Sequence, residues 1–155
     1  MEKFAKYLLT LFVCLTLIGC STVKIPEYIQ DEQPYSRSYF ADYSTTLSAT
    51  KDVLTDLGWE IKELKDPSIF ERNEAVDTPL LEKVLIITDV KENSFFVGTR
   101  FSRLNVYVQS VDESKSDVEV RFLTVTSMPY SSIRSYEHEY SSERILDKIE
   151  DAITE

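Results

Sequence analysis

The chain has 155 residues, with 17 Lys and Arg against 27 Asp and Glu, for a formal net charge of -10. That length suits one domain, and 43% apolar residues can fill a core, so disorder is excluded. So strong an acidic balance argues against a nucleic-acid partner, which needs clustered Lys and Arg. Three Gly and two Cys leave no room for a glycine-rich phosphate loop or a disulfide framework.

The chain opens with Lys3 and Lys6, followed by an apolar run from Tyr7 to Ile18. The run is shorter than the ~20 helical residues needed to span a bilayer core, and it fits the hydrophobic region of a signal peptide. Leu17-Ile18-Gly19-Cys20 closes it. This tetrad resembles the bacterial lipobox: an aliphatic residue, a small or aliphatic one, a small one and then cysteine. The resemblance implies cleavage before Cys20, a thioether from its sulfur to diacylglycerol, and acylation of the new N-terminus. Residues 1–19 are then a lipoprotein signal peptide, and a lipid membrane becomes a partner through acylated Cys20. Ordinary secretion is the competing reading, but no A-x-A-like cleavage site is present.

Cys14 would leave with residues 1–19, so the mature chain would hold one alkylated cysteine, with no disulfide and no free thiol. Removing residues 1–19 leaves 17 − 2 = 15 basic and 27 − 1 = 26 acidic residues, a net -11. Ser21, where an Asp would retain the protein in the inner membrane under the enterobacterial rule, is similar to the outer-membrane class.

Residues 21–37 carry Pro26 and Pro34 among polar residues and read as a tether, reaching about 50 Å if semi-extended. The alternative is a short edge strand at Val23-Lys24-Ile25 or Tyr28-Ile29. The domain itself is expected over 39–155. Phe40, Tyr43, Leu47, Thr50, Leu54 and Leu57 recur at spacings of three and four and predict a helix over 39–57, N-capped by Ser38. Gly58 stands where a helix takes a left-handed C′ residue.

Strands are expected at 59–64, stopped by Pro67, and at 84–90, with 71–80 a loop between them. Lys91-Glu92-Asn93-Ser94 reads as a turn. Alternation in Leu104, Val106, Val108 and in Val118, Val120, Phe122 predicts an antiparallel hairpin with Asp112–Asp117 at its tip. Gly98 is a candidate bulge. Residues 127–142 read as a Ser/Tyr-rich loop, and Ile145, Leu146, Ile149 and Ile153 mark a C-terminal amphipathic helix. The expected class is α+β: an antiparallel sheet of about four strands, with an N-terminal and a C-terminal helix packed on one face.

The corner Val53-Leu54-Thr55-Asp56-Leu57-Gly58-Trp59-Glu60-Ile61, set in this element order behind a lipobox, resembles small bacterial envelope lipoproteins. A similar helix-into-strand corner occurs in accessory lipoproteins of the outer-membrane β-barrel assembly machine. The pattern usually has a Gly turn after the first strand, where this chain has Pro67-Ser68. The resemblance carries no catalytic residue, cofactor or metal.

His138, the single His, lies between Glu137 and Glu139 and reads as an exposed residue at a helix start. One His and no free Cys argue against a zinc site. Asp112, Glu113 and Asp117 around Lys115 read as a solvated tip rather than a calcium loop. Residues 93–111 contain no acidic side chain, yet hold Arg100, Arg103, Phe96 and Tyr107. Arg and aromatic residues are favoured at interface hot spots, so these four, with Tyr130 of the Ser/Tyr stretch, are the candidate partner-binding residues. A core strand that excludes carboxylates by burial is the simpler explanation of the same pattern. The expected role is a non-enzymatic, lipid-anchored component of an envelope complex in the periplasm, facing an envelope protein partner. A small-molecule or glycan binder, with a deep apolar pocket beside 93–111, is the alternative. An enzyme of unrecognised type is third.

Overall fold

The computed structural model describes residues 23–70 and 82–154. The expected signal peptide, Cys20 and the expected loop at 71–80 lie outside the described residues. Among the described residues the class is α+β, with two α-helices and one antiparallel sheet, but the sheet has seven strands rather than about four. Its centre is a hairpin of two long strands, β5 (Gly98–Asp112) and β6 (Lys115–Met128), closed by a two-residue turn at 113–114.

Each long strand carries two different neighbours along its length. At the end bearing the 113–114 turn, β1 (Tyr35–Tyr39) pairs with β6, and β3 (Lys83–Thr88) pairs with β5 and then with β2 (Ile61–Lys65). At the other end β4 (Lys91–Phe95) pairs with β5, and β7 (Ser131–Ser135) pairs with β6. The four expected strands correspond to β2, β3, β5 and β6. The three additional ones are polar or short. Tyr35-Ser36-Arg37 lay within the expected tether and Ser38-Tyr39 at the expected helix start, Lys91-Glu92-Asn93-Ser94 in the expected turn, and Ser131–Ser135 in the expected loop. Their pairing partner, not their own pattern, makes them strands.

Helix α1 (Tyr43–Asp56) starts later than expected, because Ser38 and Tyr39 belong to β1. Its N-cap is Asp42, whose carboxylate accepts from the Thr45 amide at 3.0 Å and from the Ser44 and Thr45 hydroxyls. Its C-terminus closes as expected: Gly58 has φ 72°, its amide donates to Thr55 O, and the Trp59 amide donates to Leu54 O, both at 2.8 Å. This pair of bonds requires a left-handed residue at C′, which glycine adopts without strain. Lys91 adds a further bond to Leu57 O at 3.0 Å while its ammonium sits 4.0 Å from the Trp59 ring centre.

Helix α2 (Glu139–Thr154) buries Ile145, Leu146 and Ile149 as its periodicity predicts. Both helices lie on one face of the sheet, against Ile86, Leu104, Val106, Val108, Val118, Val120 and Phe122. Tyr39 is buried there and donates its hydroxyl to Leu146 O at 2.8 Å. Arg37 meets Glu143, Asp147 and Glu150 of α2 at 2.6–3.0 Å. These pairs are partly exposed, so each adds at most about 1 kcal/mol, and together they register β1 on α2.

The second face is where the structure departs most from expectation. Residues 23–34 do not hang free. Ile29 is fully buried against Leu123 and Val125, with Val23 and Ile25 packed beside it. Asn105, fully buried, accepts the Ile29 amide at 2.6 Å and donates to Glu27 O at 3.1 Å. Arg103 donates to Pro26 O at 2.7 Å, and Glu27 reaches Lys62 at 2.5 Å and Lys65 at 3.4 Å. Tyr28 stacks on Phe70 with centroids 4.8 Å apart and accepts from Arg121. The segment is not a strand. The side-chain amide of Asn105 supplies the donor and acceptor that a neighbouring strand would otherwise offer.

Because Ile29 is a core residue, Ile29→Ala is expected to destabilise the domain by about 2–5 kcal/mol in urea denaturation. A free tether would give no change.

Candidate functional site

The far ends of β4–β5 and β6–β7 form two adjacent hairpin tips. Phe96 and Val97 make the first turn, and Pro129 and Tyr130 the second. Phe96 and Tyr130 are fully solvent-exposed, and Val97 and Ile133 are more than half exposed. The tips are held side by side because β5 and β6 stay paired from Asp112↔Lys115 to Thr99↔Ser127. Gly98 is not a bulge. It begins β5, and a Cβ built there would fall 2.2 Å from Ser127 O, so only glycine permits this approach of the two strands.

The five candidate partner-binding residues separate. Phe96, Tyr130 and Arg100 lie at the tip end and are exposed. Arg103 is 5% exposed and is committed to Pro26 O, so it cannot meet a partner. Burial explains its place in the acid-free stretch, and its charge is directed at a backbone carbonyl rather than at an acidic neighbour. Tyr107 is half-buried at the opposite half of β5, between Leu85 and Glu119, and lines a concavity with Ser36, Ser38 and Gln109. The structure does not bring it to the tips.

Val97, Ile133 and Arg134 are also exposed at this end, with Phe95 beside them, and these first three were not singled out from the sequence. The signal for two of them was present: residues 120–136, like 93–111, contain no Asp or Glu. The opposite end of the sheet is acidic. Asp42, Glu82, Asp112 and Glu113 surround an open concavity there. The domain is therefore polar along β5 and β6, with apolar and arginine-bearing tips at one end and carboxylates at the other.

The space between sheet and helices is filled by the core side chains, with Trp59 edge-on to Phe122 at 5.6 Å. Among the described residues no group of three or more His, Cys, Asp or Glu could hold a metal ion. Among them too, no helix is long and apolar enough to cross a membrane.

His138 precedes α2 as expected, and its carbonyl accepts from the Ser142 amide at 2.9 Å. It is not fully exposed. Its ring lies 4.2 Å from the Phe122 ring centre, and its Nε2 is buried without a partner among the described residues. Burial lowers its pKa below 6.5, a hydrogen bond with the Ser135 backbone opposes this, and the Arg100 charge lowers it further.

No protein-family model and no curated protein matches the chain.

A folded-state pKa below the unfolded value means that His138 stabilises the fold fully above pH 6.5. That contribution is lost as pH falls through the folded value. Glu27, Asp42, Asp66 and Asp112 are each held below their ordinary carboxylate pKa by hydrogen bonds from Lys62, Ser44, Ser68 and the Ser114 amide respectively. Their losses therefore come at lower pH. Urea midpoints should begin to fall as pH drops below 6.5, and His138→Phe should flatten that first decline while leaving the steeper acid loss below it.

Proposed function

We propose that the protein is a bacterial lipoprotein, anchored by acylated Cys20 and facing the periplasm. Its α+β domain serves as a binding or scaffolding component of an envelope complex. The observation that carries this reading is Leu17-Ile18-Gly19-Cys20 at the end of a short apolar run behind Lys3 and Lys6. Several acyl chains on one cysteine, at about 0.8 kcal/mol per buried CH₂, make the attachment stable. Ser21 favours the outer membrane over the inner.

A binding role, rather than catalysis, is favoured by where the exposed groups stand. Exposed aromatic and apolar side chains stand both at the tips (Phe96, Val97, Tyr130) and elsewhere on the surface (Phe40, Ile69, Tyr140), outside any grouping of catalytic side chains among the described residues. Aromatic and Arg side chains of this kind anchor interfaces.

The wild-type chain should incorporate a labelled fatty acid and fractionate with membranes. Cys20→Ala should lose the label and leave the membrane fraction. Retention of full labelling in Cys20→Ala, or a soluble unlabelled wild type, would overturn the reading.

A further inference from the structure

We propose that the two hairpin tips rest on the phospholipid bilayer beside the anchor, with Phe96, Val97 and Tyr130 inserted at the headgroup level. This inference depends on the lipoprotein reading of Cys20 and adds an orientation to it.

The argument begins with chain length. Val23 packs against the cluster that Ile29 forms with Leu123 and Val125 on the sheet's second face. Cys20 stands three residues before it, a span of at most about 10 Å. With residues 23–34 bound to the sheet, the ~50 Å leash of a free tether does not exist. Leu123 and Val125 lie three to five residues from Met128, where β6 ends at the tips, and eight to ten residues from Lys115 at the other end. At about 3.3 Å per residue these are distances of roughly 10–16 and 26–33 Å. A lipidated sulfur within about 10 Å of Val23 would therefore lie closer to the tips than to the acidic end.

The side chains at the two ends agree with that placement. Phe96 and Tyr130 are fully exposed at the turns, and Val97 is more than half exposed. An aromatic ring at the boundary between headgroups and acyl chains buries its apolar body and keeps its polar edge wet. Arg100 and Arg134 are exposed on the strands just behind the turns, within the two acid-free stretches. Each basic residue near an anionic membrane surface adds about 1 kcal/mol. Asp42, Glu82, Asp112 and Glu113 stand at the far end, where repulsion from an anionic surface is least. A domain of net charge -11 thus meets such a surface with least repulsion tips first, with Glu92 the one carboxylate on the tip-side strand β4.

The test uses the full lipidated chain, whose mature form has no other free thiol. Phe96→Cys and Glu113→Cys are each labelled with an environment-sensitive fluorophore and reconstituted into vesicles of phosphatidylethanolamine and phosphatidylglycerol. The expected result is a blue shift at position 96 and its quenching by lipids brominated near the headgroup, with neither effect at position 113. Equal, water-like emission at both positions in vesicle-bound protein would overturn the orientation while leaving the anchor intact. Shielding at position 96 that appears only on adding envelope protein extract would also overturn it, in favour of a protein partner. A purified chain with no acyl mass and no vesicle binding would overturn the anchor, and the orientation with it.

Discussion

The antiparallel ladder between β5 and β6 is the constraint on which everything else depends. It runs from Asp112↔Lys115 to Thr99↔Ser127, and among the described residues no other pair of strands is comparably long. Its even-numbered positions, Leu104, Val106, Val108, Val118, Val120 and Phe122, form the floor on which both helices pack. Its odd-numbered positions, Arg103, Asn105, Leu123 and Val125, receive the N-terminal segment. Its length exceeds what the helices cover, so the remaining part is completed by β4 and β7 and ends in the two exposed tips. A one-residue slip would exchange the two faces and place Asn105 and Arg103 in the helix-side core.

The N-terminal segment converts that ladder into a statement about geometry outside the sheet. Ile29 contributes burial, and Asn105 contributes direction, since it bonds Ile29 and Glu27 on opposite sides of one residue, Tyr28. Removing one partner of such a buried bond leaves the other unsatisfied at a cost of about 1–3 kcal/mol. A segment held this way cannot serve as a long spacer. Under the proposed lipid anchor at Cys20 the domain would be a body attached near its tips, and the asymmetry of charge along β5 and β6 would gain a physical reference direction.

Much of this was legible in the sequence where local pattern and tertiary context agree. The Leu57-Gly58-Trp59 corner, the alternation of β5 and β6 and the face of α2 each carry their own signal. Strands β1, β4 and β7 carry none, because Ser36, Glu92, Asn93 and Ser132 are exposed and their pairing is dictated from β5 and β6. Pro26 and Pro34 signalled irregular backbone correctly, but irregular backbone can still be packed, and composition does not distinguish a coil lying on a sheet from one in water. The candidate residues divided for a related reason. An acid-free stretch arises both from burial, as at Arg103, and from an exposed surface that repels carboxylates, as around Arg100 and Phe96; only the alternation of faces within the tertiary structure separates the two.

The attachment of residues 23–34 to the sheet is the central claim, and native-state hydrogen exchange at the Ile29 amide tests it most directly. That N–H is buried and donates to Asn105 Oδ1 at 2.6 Å. It should exchange as slowly as the amides of Leu104 and Val106, opening only with global unfolding. Exchange of the Ile29 amide at the rate of an unstructured chain, while Leu104 and Val106 remain protected, would contradict the account.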